Sequence, residues 1–407
     1  MPGPREGVRV VELTMWIAGP ACGGVLADWG ADVVKIEPPT GDPARGYQHM
    51  FGEEMDVNPP FELDNRSKRS VVIDLRRPGG PELALALLDG ADVFVTNLRA
   101  AALARLGLDY DSVHARFPRL VYGMIVGYGL TGPDAAKPAY DIGAYWARSG
   151  IASLFTPDGG EPPFQRGGFG DHQAALTAAG SVCAALLARA RTGEGQLVTT
   201  SLLRQGAYAA GFDVSVALMW GRHITLGART TMRNPAMNNY LAGDGRRFWI
   251  IGQEAERHWP PLARVAGHPE WLEDDRFSTV AARSRHARAL IALLDDVFAT
   301  RPLDEWEPVF ATEPDFFWAP VNTVDDLLVD PQFLAGGGLV IVPDDGDGTA
   351  MVSTPSDFSG TPWAPRWRAP GLGAHTREVL AEAGRSPGEI DALEAAGVVR
   401  QGSPGRP

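Results

Sequence analysis

Arg166-Gly167-Gly168-Phe169-Gly170-Asp171-His172, followed by an alanine-rich run from Gln173 to Arg191, is the stretch whose residue types could do chemistry. Three glycines in four residues leave the backbone bare where a ligand must come close, and a carboxylate then stands at the mouth of a helix. Asp171 has two readings. It can act as an N-cap, accepting the first free N–H groups of that helix. It can also be a carboxylate held ionised by the positive helix end and open, through the glycine gap, to an activated acyl group. A second candidate is Asn65-Arg66-Ser67-Lys68-Arg69-Ser70, which groups three cations ahead of a strand. It reads either as a solvated turn or as a phosphate site. The three lysines of the chain, Lys35, Lys68 and Lys137, all precede the Asp171 helix. Other patterns carry less. Gly127-Tyr128-Gly129-Leu130-Thr131-Gly132 has dinucleotide-turn spacing but runs into Pro133 and a polar loop instead of a helix. Gly384-Arg385-Ser386-Pro387-Gly388 fits a nucleophile elbow but follows a helix, and no histidine pair has metal-ligand spacing.

The elements that must position these residues alternate. Val8–Leu13, Asp32–Glu37, Ser70–Leu75, Asp92–Thr96 and Leu120–Val126 read as strands, with helices at Pro20–Trp29 and Pro81–Asp89 and two short ones after Thr96. A strand at Gln196–Thr200 follows the Asp171 helix, then a further helix reaching about Trp220. This pattern predicts an α/β fold, a mostly parallel sheet covered on both faces, with ligands at the carboxyl ends of its strands. Composition suggests a large α/β domain over 1–225 and a smaller, tryptophan-rich α+β domain over 226–330. Residues 331–407 would return to the large domain through Gly336-Gly337-Gly338 and a Pro-rich stretch, with a final helix in Leu372–Ala383.

Bulk properties narrow the function classes. A 407-residue chain with 44% hydrophobic residues and mean hydropathy of -0.11 can bury a sizeable core. A net charge of -13 argues against nucleic acid or an anionic membrane as partner, since both need a cationic surface. Two cysteines, Cys22 and Cys183, in apolar helical surroundings fit a reducing compartment, and the first residues lack the apolar core of a signal peptide; a cytoplasmic protein is expected.

Several stretches, in their order and spacing, carry a resemblance: Ala18-Gly19-Pro20, the run Leu26 to Pro39, Gly41 to Arg45, Asn65 to Ser70, Gly127 to Pro133, Tyr140-Asp141, Gly170-Asp171 and Leu372 to Leu380. Together they resemble the class III CoA-transferases, which include formyl-CoA:oxalate and carnitine CoA-transferases and, as an offshoot, 2-methylacyl-CoA racemase. The resemblance implies a Rossmann-like large domain with a smaller α+β one, in a homodimer of interlocked rings. It implies that Asp171 attacks an acyl-CoA thioester to give a mixed anhydride and then an aspartyl-CoA thioester, from which a second carboxylic acid takes up CoA. Gly168 and Gly170 would give the thioester room, and Tyr140 and Asp141 match the second active-site segment. Ile17, Ala18, Arg45, Lys68, Asn97, Arg99 and Lys137 fall at or near CoA-contacting positions. Coenzyme A and acyl-CoA enter as substrates, with no permanently bound cofactor, and His172 packs beside the site. Racemases of the family carry a His where this chain has Tyr140, a poor base with an ordinary pKa of about 10, so transfer is favoured. A non-catalytic CoA-binding protein is the reading from another class. The chain departs from the family pattern at Leu98-Arg99-Ala100-Ala101 and lacks the glycine-rich flap at Gly252-Gln253-Glu254-Ala255-Glu256. Trp16, Tyr47, Trp146, Phe155, Phe164 and Trp318 are candidates for an apolar acyl pocket.

Overall fold

A computed structural model describes residues 3–51, 57–223 and 227–403, so the expected domain boundary at 226 lies outside the described residues. The strands are β1 (Arg9–Leu13), β2 (Asp32–Glu37), β3 (Arg69–Ile73), β4 (Val93–Thr96), β5 (Val121–Val126), β6 (Leu197–Ser201), β7 (Met237–Leu241), β8 (Arg247–Ile251), β9 (Trp318–Pro320), β10 (Leu339–Val342), β11 (Thr349–Val352) and β12 (Val399–Arg400). Seven of them form one sheet in the order β12-β3-β2-β1-β4-β5-β6, parallel throughout except for β12, which pairs antiparallel with β3.

Both faces of this sheet are buried, which is why its strands read as nearly continuous apolar runs. Alternate residues point to opposite sides. Val10, Val33, Val95 and Val121 pack under the helix Ala18–Asp28 and the long helix Phe169–Thr192. Val11, Val34, Val71, Phe94 and Tyr122 pack against the core on the other face, with Leu83, Leu103, Val113 and Val379 from its covering helices. Phe169–Thr192 is, among the described residues, long and apolar enough to cross a membrane by length and composition. Its Ala174, Ala175, Ala178, Ala179 and Val182 are buried in the core, the small side chains letting it lie close to the helix Ala18–Asp28.

The chain divides into two compact units. The first holds residues 1–155, 163–220 and 335–407, and the second holds 156–162 and 221–334. The second has the antiparallel sheet β7-β8-β9 and an aromatic core of Tyr240, Phe248, Phe298, Trp306 and Phe310. The sequence reading makes the helix within Leu372–Ala383 the final one, but Thr376–Glu382 is followed by Pro387–Ala395 and then β12. Ser386, the false elbow serine, caps that extra helix in a box with Glu389, with Pro387 in the first turn. The surface return also contains a hairpin, β10–β11.

Candidate active site

The long helix begins at Phe169, and its cap position is Gly168, held at φ 83°, a left-handed backbone that a side chain would strain. Asp171 therefore sits inside the first turn and does not cap the helix, which removes the structural reading of it as an N-cap. Gly170 is needed for a different reason. A Cβ there would stand 2.4 Å from Tyr145 Cγ, so only glycine lets the helix start close against the turn Ile142–Ala147.

The Asp171 carboxylate is half-buried, and among the described residues no group donates a hydrogen bond to it. Burial first, then the charge of Asp141, push its pKa up from the ordinary 3.8 to about 7; His172 opposes and Asp64 adds to the rise. The sequence reading has this carboxylate held ionised by the helix end; burial and the Asp141 charge oppose that and favour the bound proton. Asp141 is fixed by Ile142 N–H on one oxygen (2.8 Å) and by Gln165 Nε2 on the other (2.6 Å). Gln165 is buried, and among the described residues its Oε1 has no hydrogen-bond partner.

Asp64, which the sequence reading did not single out, ends up at this site. It lies on the helix Pro59–Asn65, is buried, and its Oδ1 is 3.0 Å from His172 Nε2. No local signal marks it, because its partner is 108 residues away. On the aromatic side, Trp16 packs against both Tyr47 and Tyr140 with ring centroids 5.8 Å apart. Trp16 has φ 68°, and its N–H donates to Asp42 Oδ1 (3.0 Å). The Tyr47 phenol is pushed up by burial and then by the charges of Asp171, Asp64, Asp42 and Asp141, which places it over the same acidic group. Tyr140 is exposed.

The expected CoA contacts divide. Arg99 and Lys137 are exposed, and Lys137 lies over the Tyr128 ring at 5.8 Å. Ile17 and Ala18 start the helix Ala18–Asp28, and the Ile17 side chain lies 3.6 Å from where a Gly168 Cβ would stand. Asn97 is half-buried and holds the backbone of Met15 through both ends of its amide. Arg45 gives its guanidinium to Glu37 and to Pro370 O, and with Lys35 and Ser70 it outweighs burial and holds Glu37 at about 2.

Lys68 is a correction. It is wholly buried, and Nζ donates to Glu12 (2.9 Å), Pro20 O (2.7 Å) and Asn65 Oδ1 (3.1 Å), which uses all three protons inside the protein. Its neighbours are spoken for too. Arg66 grips Asp28, and Arg69 reaches Asp32, Glu378 and Glu382. The basic cluster is neither a solvated turn nor a phosphate site but a set of internal ion pairs. Glu12 and Lys35 are register partners on β1 and β2, and Lys35 also pairs with Asp42, so this network underlies the Trp16 loop.

The arrangement places the Asp171 carboxylate in the first turn of a helix, beside amides that the helix ladder does not use. The ladder of the long helix begins with His172 N–H to Gly168 O, so the N–H groups of Phe169, Gly170 and Asp171 lie outside it and can face an oxyanion. Comparison with known proteins gives this geometry a context. The profile of "CoA-transferase family III" matches residues 6–376. The (R)-2-hydroxy-4-methylpentanoate CoA-transferase of Clostridioides difficile is 35% identical over 97% of this chain and 99% of its own. The cinnamoyl-CoA:phenyllactate CoA-transferase of Clostridium sporogenes is 31% identical over 96% and 95%. The crystal structure of a CAIB/BAIF family protein from Brucella suis superposes with a TM-score of 0.83 at 32% identity, over 94% of this chain and all of that one. With a profile that spans the sheet and the Asp171 helix, and relatives aligned over nearly their whole length, the chain belongs to CoA-transferase family III.

Proposed function

We propose that the protein moves CoA from an acyl-CoA thioester to a carboxylic acid, with Asp171 as the nucleophile. An Asp171 oxygen attacks the thioester carbonyl and CoA leaves as the thiolate, giving a mixed anhydride. The thiolate then attacks the aspartyl carbonyl, releasing the first acid as its carboxylate and leaving an aspartyl-CoA thioester. The acceptor carboxylate reverses these steps with its own acyl group and restores Asp171. No net proton is consumed, so no general base is required. The observation that supports this reading is a half-buried carboxylate with no hydrogen-bond donor among the described residues, at a glycine-capped helix start whose first amides the helix ladder does not use. Tyr140 and Asp141 border the acyl group, with Gly168 and Gly170 leaving room for it. CoA lies along Ile17, Ala18 and Asn97, and its phosphates lie toward Arg99 and Lys137; Arg45 supports that wall from Glu37. Acceptors of the 2-hydroxy acid class are the first to test, since two relatives are named for such acids.

We assign the protein a homodimeric, cytoplasmic form on the family resemblance. The helix Gly211–Trp220 supports the dimer: it is apolar, yet buries none of its side chains within one chain. The deciding experiment is adduct trapping. Wild-type enzyme incubated with butyryl-CoA and no acceptor gains the mass of CoA less water on the Asp171 peptide, and hydroxylamine then inactivates it. Asp171→Ala loses exchange by about a thousandfold or more while still binding CoA. Full exchange in that variant would overturn the assignment, and CoA binding without any exchange in the wild type would leave a coenzyme-holding protein. Deuterium entering the α-carbon of a 2-methylacyl-CoA without acceptor would point to the racemase branch.

A further inference from the structure

We infer that His172, anchored by Asp64, is a positioning residue for the nucleophile, setting its imidazole beside Asp171 as the local countercharge, among the described residues, in an acidic site. This rests on Asp171 being the nucleophile. His172 follows Asp171 in the first helical turn, and its N–H donates to Gly168 O at 2.8 Å. Its ring lies against the capping glycine, with Cε1 and Nδ1 3.2 and 3.4 Å from where a Gly168 Cβ would stand. Nε2 is 3.0 Å from the buried Asp64. The ring is thereby pinned at the glycine mouth by a carboxylate from a different helix.

The charges around it explain why a cation belongs there. Asp64 faces the imidazole from Pro59–Asn65, Asp171 from its own helix and Asp141 from the turn that starts Ile142–Ala147, and Tyr47 closes the group from the segment before Pro59. The nearest lysines, Lys68 and Lys35, stand behind Asp64 and are paired with Glu12 and Asp42. Arg45 is paired with Glu37. Burial works against a charged imidazole, but the bond to Asp64 and the three carboxylate charges outweigh it and raise the His172 pKa. By the same coupling the imidazolium favours the ionised form of Asp171. Without it, two like charges and burial would act on the nucleophile unopposed.

His172→Gln removes the charge and keeps an amide able to donate to Asp64. The readout is the burst of butyrate released from butyryl-CoA without acceptor, as the aspartyl-CoA thioester forms, from pH 5.5 to 9. The midpoint of the rate is expected to rise by about half to one pH unit, with the variant within about twofold of wild type above pH 8.5, where Asp171 is ionised in both. An equal loss at every pH, or an unmoved midpoint, overturns the proposal. A second measurement needs no turnover and no altered histidine. The imidazole resonance of His172 is titrated by NMR in wild type and in Asp171→Asn. Removing the aspartate charge lowers its midpoint if the two are coupled, and an unchanged midpoint overturns the inference. This arm reads the pair even if adduct trapping shows that Asp171 is not the nucleophile.

Discussion

Asp171 holds its proton more tightly in the folded chain than in the unfolded one, and that has two measurable consequences. The first is kinetic. If Asp171 is the nucleophile, only its ionised form can attack, so kcat/KM for the acyl donor should fall about tenfold per unit below pH 7 and level off above it. The second concerns stability. A folded pKa near 7 against 3.8 unfolded means that folded protein binds the extra proton, so stability present below pH 3.8 is progressively lost as pH rises to about 7. Asp171→Asn should therefore raise Tm at pH 7 to 8, and the gain should vanish near pH 4; a gain independent of pH would refute the linkage. Lys68 is open to a test of its buried role. Were it a phosphate ligand, Lys68→Met would raise the donor KM and leave the fold alone. Its burial against Glu12 predicts the reverse, a loss of about 3 kcal/mol in chemical denaturation with KM nearly unchanged. The close helix start beside Asp171 was legible in the sequence because glycines mark it. The true state of the basic cluster was not, because burial of a charge depends on partners such as Glu12 and Asp28, which lie 56 and 38 residues away.

Strands of the first unit were readable because burial on both faces favours apolar runs of the right length, as Val121–Val126 shows. What escaped were elements written in short-range chemistry. Ser386-Pro387-Gly388-Glu389 contains a capping box with proline in the first turn, yet its glycines and serine also fit a motif of another kind. The hairpin β10–β11 escaped because its residues are partly exposed and alternate weakly. The element that matters most for function is the start of the long helix. Gly170→Ala would put a methyl 2.4 and 2.5 Å from Tyr145 Cγ and Cβ, atoms near the backbone that cannot swing aside. The helix start must then move against Ile142–Ala147, carrying Asp171 with it. A displacement on that scale should cost about a hundredfold in kcat and about 1–3 kcal/mol of stability, read by steady-state kinetics and thermal unfolding. A variant with normal kcat would show that the close approach does not set the nucleophile's position.

At the scale of the whole molecule, the chain closes on its beginning. Arg66 bonds Val352 O as well as Asp28, Thr354 bonds the same aspartate, Trp367 Nε1 donates to Lys68 O (2.8 Å), and β12 completes the sheet edge beside β3. These contacts bury the basic cluster between the two ends of the sequence, so cations that could have met solvent or a phosphate serve instead to lock the C-terminal return. One surface stays unexplained by a single copy. On Gly211–Trp220, Phe212, Leu218, Met219 and Trp220 are exposed at 73, 81, 82 and 71%, and Tyr208 on the preceding helix at 88%. Five large apolar side chains in thirteen residues form a patch that monomeric soluble proteins seldom leave open to water. If a second copy covers it, light scattering should give twice the 43.6 kDa chain mass, and Leu218→Asp with Met219→Asp should shift the protein toward monomer at about micromolar concentration. The site lies on other elements of the same unit, so the adduct on Asp171 should still form in that variant if one chain holds all the catalytic groups. A monomeric wild type would remove the dimer. A monomeric variant that has lost the adduct, but keeps the wild-type far-UV spectrum, would show that the partner completes the site.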